Sequence, residues 1–446
     1  MKTSLDPGFL AEAAALLAEA NQAFARSHPG ETSGRQPVHT VYGGAQLFTA
    51  DSVPKLGRVA VDALERYAPD PAALGHALGI QGHAALPRIH ERVRAKLERE
   101  AVEDFRIDFE DGYGNRPDAE EDAHAVAVAE ALGKGSQAGT LAPFMGIRIK
   151  PLNEEMRGRS VRTLDLVHTG LADRGGLPLH WVITIPKITV LAQVEFAVRV
   201  LAELERKLGL APGSLQFEAM VETPQIVLDS SGRSLLPRLL EVSGGRLRGA
   251  HFGTYDFTAG LNITAAYQRM QHPACEFAKR VMQLAFAGTP VWLSDGSTTT
   301  LPVALYREEP GRPLDARREQ ANRDAVHGAW RMHFEDVRHS LAGGLYQGWD
   351  LHPAQLVSRY GALYSFFLEG IEAAGARLRN FVSKAAQATL IGDVFDDAAT
   401  GQGLLNFFLR GLNSGAMTEG EALEMTGLTA EELRGRSFVR IMRARA

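Results

Sequence analysis

One cysteine, Cys275, occurs in 446 residues. An intramolecular disulfide is excluded, and a cysteine-rich zinc site has no ligands to draw on. The stretch "HPACEFAKR" around it reads as the start of a helix, so a buried, inert thiol is expected rather than a nucleophile. Long apolar runs are missing too: none approaches the roughly 18 residues needed to span a bilayer. The N-terminal thirty residues lack an export-signal pattern. Asp6, Glu12, Glu19 and Asn21 break their apolar sequence at helical spacing, which predicts an amphipathic helix and a cytoplasmic protein. A basic excess is also absent. Lys and Arg total 48 against 53 Asp and Glu, a formal charge of −5, so no global field gathers nucleic acid or an anionic membrane. No HxH or HExxH occurs to support zinc.

What the chain does contain is a repeated alternation. Eight short apolar runs each precede a Gly, Pro or polar residue and then a helix-like segment. They are Pro37–Gly44, Phe105–Gly112, Phe144–Leu152, His180–Ile188, Leu215–Pro224, Leu247–Phe257, Thr289–Ser297 and, more weakly, Gly344–Pro353. Between them, Leu191, Val194, Val198, Leu201 and Leu204 fall mostly three or four apart, and "DAEEDAHAVAVAEALGKG" begins with acids and ends at Gly. Strands alternating with helices imply parallel βαβ units, and eight of them predict an α/β fold of the (β/α)8 TIM-barrel type. The alternative, a doubly wound sheet, would normally carry a GxGxxG turn after its first strand, and "YGGAQLF" is not one. Two regions exceed a minimal barrel. Residues 51–103 read as a helical insertion after strand one, and residues 373–446 as a helical C-terminal extension or cap beyond a barrel domain of residues 1–372 that includes the N-terminal helix. Capping-box starts at Thr418–Glu421 and Thr429–Glu432 mark two short helices there, read as a cap or an oligomer contact.

A (β/α)8 barrel does its chemistry at the C-terminal ends of its strands. The ends of these runs carry Asp108, Glu110, Asp111, Arg148, Lys150, Lys187, Glu222, Asp256, Asp295 and His352. Glu222 and Asp256 lie 34 residues apart, about one strand–helix unit, so they come from neighbouring strands. Two carboxylates plus waters suit a hard divalent ion, Mg²⁺ or Mn²⁺. Arg148 has the planar fork to pair with a substrate carboxylate or carbonyl oxygen, or with the acids of strand two. Lys187 would need a dry site to serve as a Schiff base. The surrounding carboxylates favour an electrostatic or structural ammonium instead. His39 and His352 are candidate bases, although a lone histidine is more often structural.

In order along the chain, "IDFEDGYGNRPDAEEDA", "IRIKP", "ITIPKI", "AMVETPQIV", "HFGTYDFTAGLNI" and "GWDLHPAQL" resemble motifs of the HpcH/HpaI aldolase and citrate lyase β-subunit superfamily, with malyl-CoA lyase and, more distantly, malate synthase among its relatives. The resemblance spans about Phe105 to Leu356. It implies a (β/α)8 barrel, a Mg²⁺ held by Glu222 and Asp256, and Arg148 on the oxygen that becomes an enolate. It also implies Glu110 and Asp111 beside the metal site, and backbone N–H groups of Gly253, Thr254 and Tyr255 near a substrate carboxylate. Asp108 is then the most structural of the three strand-two acids. The expected activity is that of a Mg-dependent carbon–carbon lyase or aldolase. It would act on a hydroxy acid or its CoA thioester and give or use a 2-oxo acid such as glyoxylate or pyruvate, in a homo-oligomer. Malate-synthase-like condensation with thioester hydrolysis, and a non-catalytic oxo-acid-binding or scaffold barrel, are the alternatives. Asp111, Asp295 and His352 are candidate general bases. Strand one lacks the family's Arg start and Pro turn, and Lys150 replaces its Asn, so CoA use stays open. Asp393, Asp396 and Asp397 are candidates for an acid supplied from the C-terminal segment.

Overall fold

The computed structural model describes residues 4–30, 34–308, 313–383, 389–391, 394–396 and 398–445. Eight parallel strands close into one barrel, paired in sequence order with the last against the first. They are β1 (His39–Gly44), β2 (Asp104–Asp108), β3 (Phe144–Arg148), β4 (Trp181–Ile185), β5 (Gln216–Val221), β6 (Leu247–Phe252), β7 (Trp292–Ser297) and β8 (Gln347–Asp350). Each coincides with one of the eight apolar runs, β2 starting one residue before its run, and a (β/α)8 barrel is the fold. Three helices, Ser52–Tyr67, Pro71–Leu78 and Leu86–Glu100, separate β1 from β2.

Strand β2 shows how the sequence builds the barrel. Its residues alternate with period two, so Phe105 and Ile107 face the surrounding helices while Asp104, Arg106 and Asp108 face the barrel axis. TIM-barrel interiors are usually filled with branched aliphatic side chains. Here the axis carries a buried polar network. Arg106 donates to both oxygens of Asp104 at 2.9 and 2.8 Å and reaches Glu218 of β5 on the opposite wall. Thr40 donates to Asp104 at 2.8 Å, Gln347 to Thr40 at 3.0 Å and Thr184 to Glu218 at 3.3 Å. His251 Nε2 lies 3.1 Å from Glu218, and burial pushes His251 down to about 3, so it stays neutral. Burial raises the carboxyls of Asp104 and Glu218. Gly146 of β3 makes the crossing of Arg106 feasible. A Cβ there would stand 2.6 Å from Arg106 Nη1 and 2.1 Å from the Val182 carbonyl.

The helix Gln355–Ser383 follows β8, and shorter helices Ala398–Asn413, Glu419–Thr426, Ala430–Arg434 and Phe438–Arg445 come after it. Both capping boxes form, at Thr418 with Glu421 and at Thr429 with Glu432. Glu421 is gripped by Arg88 and, at 2.5 Å, by Arg92, so the C-terminal helices seat on the helices inserted after β1. The helix Pro7–Ser27 is capped by Asp6 and has no buried residue. Among the described residues, no helix is long and apolar enough to cross a membrane.

Breaking a buried ion network by removing one partner leaves uncompensated charge. Arg106→Met is therefore expected to cost about 3–5 kcal/mol of unfolding free energy, read from urea denaturation. A loss below about 1 kcal/mol would mean that the axis carries no such charge balance.

Candidate functional site

At the C-terminal end of β2 the chain turns back on itself, and Asp108 holds the turn. Its carboxylate accepts the N–H groups of Glu110 at 2.9 Å and Gly112 at 2.7 Å. A Cβ on Gly112 would meet Asp108 Oδ2 at 2.7 Å, so only glycine permits that contact. Strand register places Asp108 directly beside Arg148 of β3. Arg148 donates through Nε at 2.7 Å and Nη2 at 2.5 Å to the two oxygens of Asp108. Its remaining amino group, Nη1, faces Glu110 Oε2 at 3.2 Å and Asp111 Oδ2 at 3.6 Å. The guanidinium also lies over the Tyr42 ring, 4.9 Å from its centroid, and Tyr42 stacks on Trp349 at 4.6 Å. Asp108 is thus structural in a specific sense: it fixes where Arg148 points.

Glu222 follows β5 directly and is 1% exposed. A Cβ on Gly253 would lie 2.5 Å from its Oε2, so glycine at 253 makes room for this carboxylate. Asp256 is not at a strand end, as the spacing suggested. It lies in the first turn of a short helix, Thr254–Gly260, and its side chain is 39% exposed. The glycine-led run after β6 bends into helix at once, which the strand-like pattern of Leu247–Phe257 concealed. Lys187, after β4, joins the two acids. Its backbone N–H donates to Glu222 Oε1 at 2.7 Å, and its ammonium lies 3.5 Å from Asp256 Oδ1. The same ammonium donates to Glu110 and reaches Asp111 at 3.3 Å. Tyr42, Asp111, Arg148, Glu222, Asp256 and Trp349 share the lining of one cavity of about 380 Å³.

Burial, then the charge of Asp256, pushes Glu222 up to about 8. Burial, opposed by Arg148 and reinforced by Asp111, pushes Glu110 up to about 7. Asp111 moves the other way: burial would raise it, but Arg148 and a hydrogen bond from Glu110 hold it below the usual carboxylate range. Lys187 is raised above the ordinary lysine value, because Glu222 and Glu110 outweigh its burial. Among the described residues, no group of three or more His, Cys, Asp or Glu side chains is arranged to hold a metal. Glu222 and Asp256 nevertheless fit a hard divalent cation that keeps several waters, since two carboxylates whose like charges repel each other supply the hard oxygens it prefers.

Other expected groups lie elsewhere. Asp295 sits in β7 but points outward, where Lys279 at 3.0 Å and Ser340 at 2.7 Å hold it. The register irregularity between Ser294 and Ser297 accompanies that turn away from the mouth. Lys150 donates to the Phe109 carbonyl at 2.6 Å and lies 3.1 Å from Glu121, bracing the β2 loop. His352 accepts the Ala354 N–H at 3.2 Å, and burial lowers it. His39 lies at the start of β1, accepts the Glu103 N–H at 3.1 Å and is pushed by burial down to about 4. The Gly253 N–H, expected to face substrate, donates to the Val221 carbonyl at 3.0 Å. Thr254 and Tyr255 open the helix, where backbone N–H groups have no intrahelical acceptor. Tyr255 anchors this turn by donating its hydroxyl to the Ser297 carbonyl at 2.9 Å. Cys275 is buried, with its thiol pushed up to about 12. Asp393 and Asp397 lie outside the described residues, and only the backbone of Asp396 is described. Sequence reasoning missed Tyr42 and Trp349. Their period-two placement on β1 and β8 is the signal that would have found them.

The sequence model of a family described as "Domain of unknown function (DUF6986)" matches residues 17–441. Among curated proteins, none matches the chain. Among solved structures, the chain is similar to a citrate lyase from Burkholderia xenovorans at 18% identity and a TM-score of 0.56, covering 89% of this chain and 98% of that one. A malate synthase of Haloferax volcanii in a magnesium/glyoxylate complex aligns at 14% identity and a TM-score of 0.47, over 90% and 97% of the two chains. A citrate lyase β subunit from M. tuberculosis, complexed with oxaloacetate and magnesium, aligns at 14% and 0.40, over 74% and 98%. At 18% identity, the likeness to the Burkholderia citrate lyase shows the fold alone.

The raised carboxyls generate a pH test. A carboxyl whose folded-state value lies above its unfolded value stabilises the fold at low pH and loses that contribution as pH rises through the folded value. For Glu222 the window runs from about 4.5 to about 8. In EDTA, Glu222→Gln is expected to flatten the decline of Tm across that window relative to the unsubstituted protein. Parallel Tm–pH profiles for the two proteins would contradict the assignment.

Proposed function

Since the chain belongs to the DUF6986 family, whose model spans nearly its whole length and carries no assigned function, we propose its activity from its own site: a divalent-cation-dependent carbon–carbon lyase or aldolase. Its substrate is a hydroxy acid or the CoA thioester of one, and a 2-oxo acid such as glyoxylate or pyruvate is released or consumed. The observation that carries this reading is the convergence on one cavity of a carboxylate-locked arginine and two carboxylates suited to a cation.

Glu222 and Asp256 would hold Mg²⁺ or Mn²⁺. Such an ion, when bound, supplies Lewis-acid stabilisation of carboxylate and carbonyl oxygens. Arg148 is preorganised. With Nε and Nη2 committed to Asp108, Nη1 remains directed toward the Glu110–Asp111 side of the mouth, and charge developing on an oxygen there meets a fixed positive group. The Thr254 and Tyr255 N–H groups stand at the same mouth for a substrate carboxylate. The Glu110–Asp111 pair is assigned the proton. Glu110 sits near neutrality, where a general base works best, and its Oε2 accepts no hydrogen bond. Asp111 lines the cavity and passes the proton between substrate and Glu110. Asp295 is removed from the candidate bases by its outward contacts.

The test is an assay of purified protein with Mg²⁺ against malate, citramalate and their CoA thioesters, detecting glyoxylate or pyruvate. Free-CoA release from acetyl-CoA plus glyoxylate tests the condensing direction. Arg148→Met is expected to reduce turnover on the order of 100- to 1,000-fold, the usual cost of losing one preorganised oxyanion donor. EDTA and Glu222→Ala are each expected to abolish activity. Turnover that survives both unchanged would sink the reading.

A further inference from the structure

Lys187 occupies an unusual position in the mouth. It follows β4 with a backbone φ of +50°, in the left-handed region that residues other than glycine rarely adopt. From there it contacts carboxylates that arrive on three other strands. Its backbone N–H holds Glu222 at 2.7 Å. Its ammonium donates to Glu110, reaches Asp111 at 3.3 Å and lies 3.5 Å from Asp256. The two carboxylates assigned to a cation are therefore both engaged by one residue, one through its main chain and the other through its charge. The contacts differ in kind. Those to Glu222, Glu110 and Asp111 are hydrogen bonds, whereas the approach to Asp256 is an ion pair without one.

We propose that the Lys187 ammonium is a tethered competitor for the divalent cation. It neutralises the mouth carboxylates in the metal-free protein and gives up Asp256 when a divalent ion binds. This rests on the reading above that Glu222 and Asp256 hold the metal. The geometry supplies the path. Release from Asp256 breaks no hydrogen bond, and the ammonium keeps Glu110 and Asp111 as partners on the β2 loop. The backbone N–H stays on Glu222 whichever cation is present, so that carboxylate remains aimed. Lys187 is thus a positioning residue: metal occupancy decides whether its charge is shared among three acids or concentrated on Glu110 and Asp111. An ion must overcome a resident positive charge to bind, which favours a divalent over a monovalent cation.

The experiment is isothermal titration calorimetry of EDTA-stripped full-length protein with Mg²⁺ alone, paired with Tm measured in EDTA. Two variants remove the ammonium. Lys187→Met keeps the length of the side chain, and Lys187→Gly suits the left-handed backbone while retaining the N–H to Glu222. Both are expected to tighten Mg²⁺ binding on the order of tenfold, because a positive charge a few ångströms from the ion's site is gone, and to lower Tm in EDTA, because the mouth carboxylates lose their counter-charge. Lys187→Arg is expected to restore the weaker binding. A merely structural lysine would leave affinity unchanged or weaken it on removal, and either result in both variants overturns the proposal. Glu222→Ala tests the premise separately: binding of Mg²⁺ equal to that of the unsubstituted protein would overturn the metal assignment itself.

Discussion

The pairing of Asp108 with Arg148 is the interaction on which the mouth of this barrel depends. A guanidinium this deeply buried is sustainable only with its charge matched and its donors occupied. Strand register supplies the match, since β2 and β3 place the two residues side by side. The same carboxylate accepts the backbone N–H groups that fold the following loop. One side chain therefore sets both the direction of Arg148 and the position of Glu110 and Asp111. Loss of Asp108 would disturb the loop and the arginine together, which pairwise contacts alone do not convey.

Beyond that pair, the mouth holds more negative than positive charge. Glu110, Asp111, Glu222 and Asp256 face Arg148 and Lys187, and burial, reinforced by neighbouring carboxylates, raises the proton affinity of Glu110 and Glu222. A site in this condition can relieve itself with protons, with a cation or with a cationic side chain. The three routes compete for the same oxygens. Its chemistry is accordingly tied to pH and to divalent ion concentration through one set of groups.

Much of this was legible in the sequence. All eight strands fall within the short apolar runs to within one residue, and alternation with helices gave the closed parallel barrel, because strand–helix periodicity survives without tertiary information. Arg148, Glu222, Asp256 and the β2 acids are brought to one mouth for the same reason: their place after a strand fixes their end of the barrel. What was not legible depended on direction. Asp295 lies on a strand among mouth-like neighbours, yet beside a register irregularity it faces Lys279 and Ser340. Asp256 required knowing that helix begins immediately at Thr254. The Gly253 N–H is consumed by a cross-strand bond that no local pattern signals. The charged axis was also hidden. Asp104 and Glu218 lie 114 residues apart, and only closure of the barrel puts Arg106 between them.

That axis has a consequence for assembly of the chain. Because side chains alternate with period two, a one-residue slip of β2 would exchange Arg106 for Phe105 or Ile107 at the centre and push charge out among the helices. An aliphatic interior tolerates such an error, since one greasy residue substitutes for another. An ion pair spanning opposite walls does not, because the wrong alignment strands charges on both sides of the sheet. Arg106 and Glu218 therefore work as a checksum on closure: they reward only the alignment in which the first and second halves of the barrel meet in phase.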